Sequence, residues 1–176
     1  MNEVLKAIKE RRSIRKFKSD MPKKEDIEAI LEAGLYAPSG RGGQEVITIA
    51  VTAKEMRDQI RKDNAVVGGW GEDFDPFYGA PVILVVLRNK NWGTSIYDGS
   101  LVMENLMLAA HSLGLGSIWI HRAKEEFEMP KYKELLAKLG IKGEWEGVGH
   151  CAIGYIDGEV PAPAKRKEGR IYWVED

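Results

Sequence analysis

The sequence predicts a fold of the α+β class. About four strand-like and five helix-like segments follow one another irregularly along its 176 residues, without the regular alternation of a βαβ protein. Apolar residues make up 44% of the chain and charged residues 30%, which is typical of a globular protein with its own core. The length fits one domain, which we expect to span residues 1–176.

Five helices are predicted where apolar residues recur at three- and four-residue spacings. They cover residues 2–12, a segment that contains Ile27 and Leu35, Lys54–Asn64, 98–113 and Pro130–Leu139. The second helix is expected to end near Ala37-Pro38, because a residue that precedes proline resists the helical conformation. The helix over 98–113 is apolar almost all round, so we expect it to be central and buried.

Four strands are predicted at residues 46–51, 81–87, 117–121 and 147–156. The run over 81–87 is apolar at nearly every position, as in a strand that is covered on both faces. Arg170–Val174 also alternates as a strand does, but it follows Pro161 and Pro163. We therefore expect this last segment to pair with a distant element.

Composition and missing motifs argue against several classes of protein. The net charge of −1 disfavours bulk nucleic-acid binding, and the single Cys151 permits neither an intrachain disulfide nor a thiol metal cluster. No phosphate-loop motif, no G-x-G-x-x-G after a strand and no G-x-S-x-G elbow occurs. The charged N-terminus lacks a signal-peptide stretch and no apolar run could span a bilayer, so we expect a cytoplasmic protein without membrane, metal or nucleic-acid partners.

The segment Arg11–Lys18 is the strongest candidate for a binding site. It holds five cations and one hydroxyl within eight residues of a nearly neutral chain. Arginine forks pair with phosphate oxygens, and serine adds a short donor, so the pattern suits a phosphate group. The alternative is a solvated helix end, where cations are also favoured.

Three later segments are weaker candidates. The 37–44 loop carries three glycines that let backbone N–H groups approach a ligand, but it could be an ordinary helix-to-strand loop. The 114–122 segment is a strand that ends in Trp, His and Arg, and strand ends are common ligand positions. The alternative is that the tryptophan is packed in the core and the histidine is structural. The 164–167 cluster of Lys and Arg reads equally well as a solvated tail.

Six segments in one order carry a family resemblance. They are Arg-Arg-Ser-Ile-Arg-Lys-Phe (11–17), Ala-Pro-Ser-x-x-x-x-Gln (37–44), Gly-Ala-Pro-Val-Ile-Leu-Val-Val (79–86), the helix 98–110, Gly-Leu-Gly-Ser-Ile-Trp-Ile (114–120) and Gly-His-Cys-Ala-Ile-Gly-Tyr (149–155). Together they resemble the nitroreductase family of FMN-dependent oxidoreductases. The resemblance implies a three-layer fold with a mixed or antiparallel sheet flanked by helices. It also implies a homodimer with FMN at the interface and a C-terminal strand exchanged with the partner.

The resemblance also implies which residues would hold FMN. Arg11, Arg12 and Ser13 match contacts to the phosphate and ribityl chain, and Arg15 matches a cation near flavin N1. The other implied cofactor-binding residues are Pro38, Ser39 and Gln44 in a partner-chain loop, Trp119, Ile120, His121 and Arg122 at the flavin N5 edge, and Arg166 and Lys167 near the phosphate.

Some positions depart from the family pattern. Gly42 stands where an asparagine is frequent, and Glu45 replaces the usual proline after the glutamine. The stretch 89–97 stands where longer family members have a helical segment over the pocket. The acceptor site is therefore the part that the resemblance predicts least well. Candidate pocket walls, each of which could equally be core, are Phe74, Phe77, Tyr78, Trp92 and Tyr97.

The implied activity is a ping-pong transfer of hydride from NADH or NADPH, through FMN, to a small-molecule acceptor such as a nitroaromatic, a quinone or a flavin. No protein side chain is expected to be catalytic, because the flavin carries the chemistry. Alternatives are reductive dehalogenation, flavin fragmentation or a non-catalytic FMN-binding protein. A nucleic-acid binder that uses the basic N-terminal segment is a further alternative.

Overall fold

The computed structural model describes residues 1–71 and 73–175. In chain order its elements are α1 (Glu3–Glu10), α2 (Lys24–Leu35), β1 (Val46–Val51), α3 (Lys54–Val67), β2 (Val82–Asn89), α4 (Ser95–Ser112), β3 (Gly116–Ile120), α5 (Ala123–Phe127), α6 (Pro130–Lys138) and β4 (Trp145–Gly154). A 3₁₀ turn over Gly40–Gly42 lies between α2 and β1.

The four strands form one antiparallel sheet in the order β1-β2-β4-β3. The predicted sheet could have been mixed or antiparallel, and the strand ladders are antiparallel. β1 and β3 are therefore the two edge strands. No strand from the described part of the chain pairs with the outer edge of β1, whereas the outer edge of β3 is bridged by Ser13 at Ser117.

The central strand β2 explains the layered packing. Its residues Val82–Leu87 are all fully buried, as the uninterrupted apolar run predicts. Because successive side chains point to opposite faces, Ile83, Val85 and Leu87 join the core on the α3, α5 and α6 side. Their neighbours Val82, Leu84 and Val86 join the core on the α2 and α4 side. The sheet is thus the middle layer of three.

Two features bring helices close to β4. Val148 is an extra residue in the β2–β4 register, and a Cβ on Gly99 of α4 would lie 2.7 Å from it. On the other face, a Cβ on Gly147 would lie 2.1 Å from the backbone of Ala123. Real atoms do not approach so closely, so glycine at position 147 lets the start of α5 pack directly on the sheet.

The predicted elements occur in the structure in the predicted order, with three main differences. Helix α4 begins at Ser95, three residues earlier than predicted, where the buried Ser95 hydroxyl lies 2.6 Å from the Asn89 carbonyl and 2.7 Å from that of Trp92 and can donate to either one. Helix α5 was not predicted. The strand-like tail forms no strand within the chain, and Ile171, Tyr172, Trp173 and Val174 are strongly exposed.

Helix α4, with 18 residues, is the longest of the helices described. None of the helices in residues 1–71 and 73–175 combines the length and apolar character needed to cross a bilayer.

Candidate functional site

The segment that follows α1 is fixed against the outer edge of β3. The Ile14 N–H donates to the Ser117 carbonyl at 3.0 Å, and Phe17 forms an antiparallel bridge with Ile156. Ile14 and Phe17 are buried and pack over Gly116, where a Cβ would lie 2.9 Å from Ile14 Cγ1. The apolar residues of the segment thus anchor it and leave Arg15 exposed.

The guanidinium groups of Arg11 and Arg12 are only partly satisfied. Nε and Nη1 of Arg11 and Nε of Arg12 are buried and have no hydrogen-bond partner in the described chain. Glu104 Oε1 lies 3.8 Å from Arg11 Nε, which is ion-pair range but too long for a hydrogen bond. Buried donors without acceptors are costly, so this surface fits an anion with several oxygens rather than a solvated helix end.

A cleft of about 160 Å³ lies beside these two arginines. Its wall includes His111, Val160 and Ser117, whose hydroxyl is also buried without a partner among residues 1–71 and 73–175. The cleft is therefore lined by residues from two distant segments of the chain that carry unsatisfied donors. These donors match a phosphate group in chemistry, so the residues present fit a phosphate-bearing cofactor such as FMN.

The turn between β3 and α5 exposes His121 and Arg122. Arg122 adopts a left-handed conformation, with φ 80°, and its side chain pairs with Glu125 at 3.0 Å. Trp119 instead packs its indole against β4, since a Cβ on Gly149 would lie 2.5 Å from Trp119 Nε1. The exposed part of this segment is thus the turn at His121 and Arg122.

Beneath this turn lies a buried polar cluster formed by Asn64 of α3, Glu126 of α5 and His150 of β4. Asn64 Nδ2 donates to the His121 carbonyl at 2.8 Å and to Glu126 Oε2 at 2.9 Å, and His150 Nε2 lies 3.2 Å from the same Oε2. Burial raises the pKa of Glu126 to about 8 and lowers the pKa of His150 to about 4, so at neutral pH we expect both groups to be uncharged.

This cluster was not predicted. A signal was nevertheless present, because Asn64 stands four residues after Ile60, on the buried face of α3, where a polar residue is unusual. His150 next to Cys151 is a comparable case, whereas Glu126 lies in a charged stretch and gave no such signal.

The loop 38–44 is anchored to the start of α4. The Gly40 N–H donates to Asp98 Oδ1 at 3.1 Å, and the Gln44 N–H donates to the Ser39 hydroxyl at 3.1 Å. Arg41 and Gln44 adopt positive φ values of 56° and 52°. Pro38 and Gln44 are exposed, and Ser39 is partly buried.

The structure does not bring all the predicted site residues together. The loop 38–44 leads into β1, whereas Arg11, Ser13 and the 119–122 segment lie along β3 or at its end. These are opposite edges of the sheet, separated by about 14 Å for three strand spacings. The strand register places the start of β1 and the end of β3 at the same end of the sheet.

Charged side chains lie between these two edges at that end. Arg88 of β2 bonds Glu146 of β4 at 2.6 Å, and Lys124 lies 3.6 Å from the second oxygen of Glu146. Burial opposes ionisation of Glu146, but the Arg88 hydrogen bonds outweigh it and lower the pKa of this carboxyl. The pair therefore remains ionised and fixes the ends of the two central strands.

The remaining predicted residues lie in different parts of the structure. Arg166 and Lys167 are exposed in the C-terminal tail, which has no regular secondary structure there. Phe77 is buried against His150 with ring centres 5.3 Å apart, so it is a core residue. Phe74 and Tyr97 are exposed, Tyr78 is partly buried, and Trp92 borders a cleft of about 260 Å³ with Gly40, Arg41 and Thr94.

A three-layer α+β fold with an arginine-lined cleft at one sheet edge defines a protein of the nitroreductase class. The family model described as "Nitroreductase family" matches residues 8–155, and the chain belongs to this family. The predicted family is thereby confirmed, and so is the predicted α+β class with a sheet flanked by helices.

Individual relatives support the same assignment. A protein of Methanothermobacter thermautotrophicus, named as an NADH dehydrogenase/NAD(P)H nitroreductase, is 36% identical over 121 residues, which are 66% of this chain and 60% of that protein. An FMN reductase [NAD(P)H] of Bacillus subtilis is 28% identical over 80% of this chain and 66% of its own length. The crystal structure of a Bacteroides fragilis nitroreductase with bound FMN has a TM-score of 0.87 and 32% identity, covering 99% of this chain and all of that one.

Proposed function

We propose that this protein is an FMN-dependent oxidoreductase that takes hydride from NADH or NADPH and reduces small acceptors, such as nitroaromatics, quinones or flavins. The observation that carries the proposal is the set of buried guanidinium donors of Arg11 and Arg12 that lack partners in the described chain. An anionic nucleotide such as FMN supplies the oxygens that these donors need.

The residues have distinct proposed roles. Arg11, Arg12 and Ser13 hold the phosphate end, and Ser117 adds a hydroxyl from the wall of the same cleft. Arg15 is exposed on the same anchored segment and stays charged, so it stabilises negative charge on a neighbouring ligand ring. FMN, when bound, supplies the centre that accepts and releases hydride. The exposed β3–α5 turn offers its backbone to that ring.

We propose that two copies of the chain complete the site. The loop 38–44 and the β3 edge lie at opposite edges of one sheet, so a second copy would supply the missing half. Helix α1 supports this proposal, because it buries none of its residues although Val4, Leu5 and Ile8 are apolar. A groove of about 390 Å³, lined by residues of α1, α2 and α4, continues this apolar surface.

The tail has a proposed place in such a dimer. Ile171, Tyr172, Trp173 and Val174 are exposed and form no secondary structure within the chain, and a cluster of large apolar side chains in water is unfavourable. The outer edge of β1 is available to such a segment, whereas Ser13 occupies part of the β3 edge. If the tail pairs with the β1 edge of the second copy, Arg166 and Lys167 would lie against that copy as well.

The test is cofactor uptake followed by anaerobic reduction. We expect purified protein to be yellow, or to become so when FMN is added to the cofactor-free form. NADH or NADPH should then bleach the visible band of the oxidised flavin, and an acceptor panel should restore it. A protein that carries no flavin and cannot be reconstituted with FMN contradicts the proposal.

The same experiment separates the alternatives. A band that neither nicotinamide bleaches indicates a non-catalytic FMN-binding protein. A band that is bleached, but recovers only with halogenated substrates, indicates reductive dehalogenation. Consumption of the flavin itself indicates flavin fragmentation.

A further inference from the structure

We propose that Asn64 is a positioning residue of the flavin site, which holds the His121–Arg122 peptide so that the Arg122 N–H points toward the cofactor. This inference rests on the proposed function, because FMN is the group that would accept from this N–H.

The first step is the direction of the peptide. In a trans peptide the C=O and the N–H point in opposite directions. Asn64 is buried, and its Nδ2 donates to the His121 carbonyl at 2.8 Å. The N–H of Arg122 belongs to the same peptide unit, so it must point away from Asn64. This N–H donates to no other group in the part of the chain that the structure describes.

The second step is that Arg122 needs this support. Its φ of 80° lies in the left-handed region, which costs a non-glycine residue free energy and persists only where the surroundings impose it. The Arg122 carbonyl accepts from the Glu126 N–H at 3.1 Å, so α5 holds the residue from one side. The Asn64 amide holds the preceding carbonyl and completes the restraint.

The third step is that Asn64 is itself held in place. It is fully buried, and its second hydrogen bond goes to Glu126 Oε2, which also lies 3.2 Å from His150 Nε2. Burial raises the pKa of Glu126 to about 8 and lowers that of His150 to about 4, so at neutral pH Glu126 is protonated and its Oε2 still accepts from Asn64. The cluster is then uncharged, and its shape is fixed from three elements.

A measurement without FMN tests whether Asn64 sets the conformation of the His121–Arg122 peptide. The three-bond HN–Hα coupling and the residual dipolar coupling of Arg122 report its φ and the direction of its N–H. We expect values for a left-handed residue in the wild type, and values for a different or averaged conformation in Asn64→Leu. Asn105→Leu is the matched control, since Asn105 also donates to a distant carbonyl, that of Ala33 at 3.0 Å, but between α4 and α2. Asn64→Ser replaces the leucine variant if that variant does not fold.

A measurement with FMN tests whether the Arg122 N–H donates to the cofactor. We expect FMN to slow hydrogen exchange of the wild-type Arg122 amide by about tenfold, as a new hydrogen bond should. Asn64→Leu should lose most of this protection, whereas Ile60→Val, which trims the core one turn earlier on the same helix, should keep it. Glu126→Gln should keep it as well, because the glutamine carbonyl oxygen can take the place of Oε2 and accept from Asn64.

The outcomes are separable. Unchanged Arg122 couplings in Asn64→Leu overturn the inference, as does FMN protection equal to that of the wild type. If wild-type protein takes up no FMN, the proposed function fails, while the couplings still decide whether Asn64 sets the turn.

Discussion

At the scale of single residues, the same basic segment contains cations with different surroundings. Arg11 and Arg12 are partly buried with unsatisfied donors, whereas Arg15 and Lys18 are exposed. Lys16 forms an ion pair with Asp157 at 2.8 Å. The sequence predicted a phosphate site in this segment, and burial now distinguishes Arg11 and Arg12, which have unsatisfied donors, from the exposed cations.

Replacing Arg15 tests its proposed electrostatic role. Arg15→Ala should lower the reduction potential of bound FMN, because a nearby cation favours the reduced, negatively charged ring. We expect a fall of about 20 to 40 mV, equivalent to roughly 1 to 2 kcal/mol for two electrons, with a smaller change in FMN affinity. Spectroelectrochemistry measures the potential, and Lys18→Ala is the control with the same loss of charge. An unaltered potential in Arg15→Ala argues against the role.

Replacing Glu126 tests its protonation state. Its folded pKa of about 8 lies above its ordinary value of 4.5, so the folded state binds the proton more tightly than the unfolded state. The contribution of Glu126 to stability should therefore be largest below pH 4.5 and should be lost as pH rises toward 8, by at most roughly 4 to 5 kcal/mol. Asp63 and Glu125 strengthen the shift, and Lys131 opposes it.

Glu126→Gln removes this group from the titration. Its stability relative to the wild type should therefore improve between pH 5 and pH 8, as measured by urea unfolding at each pH. The pKa of His150, lowered to about 4, acts in the opposite direction but is present in both proteins. A difference that does not change with pH would mean that Glu126 is ionised in the folded state.

At the scale of elements, the hydrophobic pattern predicted the elements that are long enough to show one. The run Val82–Leu87 identified the central strand. The apolar run after Asp98 identified helix α4, but this helix lies in an outer layer and exposes Leu101, so it is not buried all round as predicted. Helix α5 was missed because its five residues are too few to show a period. The left-handed Arg122 could not be foreseen, because arginine carries no signal for positive φ. Asn64 was missed because its partners lie 57 and 62 residues away.

The packing of α5 on β4 gives a prediction at this scale. Gly147→Ala should destabilise the protein by about 2 kcal/mol or more, because the new methyl group would overlap the Ala123 backbone and push α5 off the sheet. Gly93→Ala is the control, since a Cβ there meets no atom within 4 Å. Thermal unfolding of the two variants compares them, and equal stability would contradict the close approach.

At the scale of the whole molecule, the proposed second copy gives a prediction. Ile8→Asp places a charge on the exposed apolar face of α1 and should convert a dimer into monomers. Light scattering after size-exclusion chromatography measures the mass, and FMN content should fall in parallel. Lys6→Asp on the same helix is the control. A dimeric Ile8→Asp protein would exclude this face from the interface.

The separation of the loop 38–44 from the β3 edge has a genetic consequence. If each site combines the β3 edge of one copy with the loop of the other, a copy damaged only at Arg11 and a copy damaged only at Ser39 can rescue each other. In mixed dimers one site would carry both lesions and the other none. Two inactive alleles expressed together would then restore about a quarter of the sites, since half of randomly paired dimers are mixed.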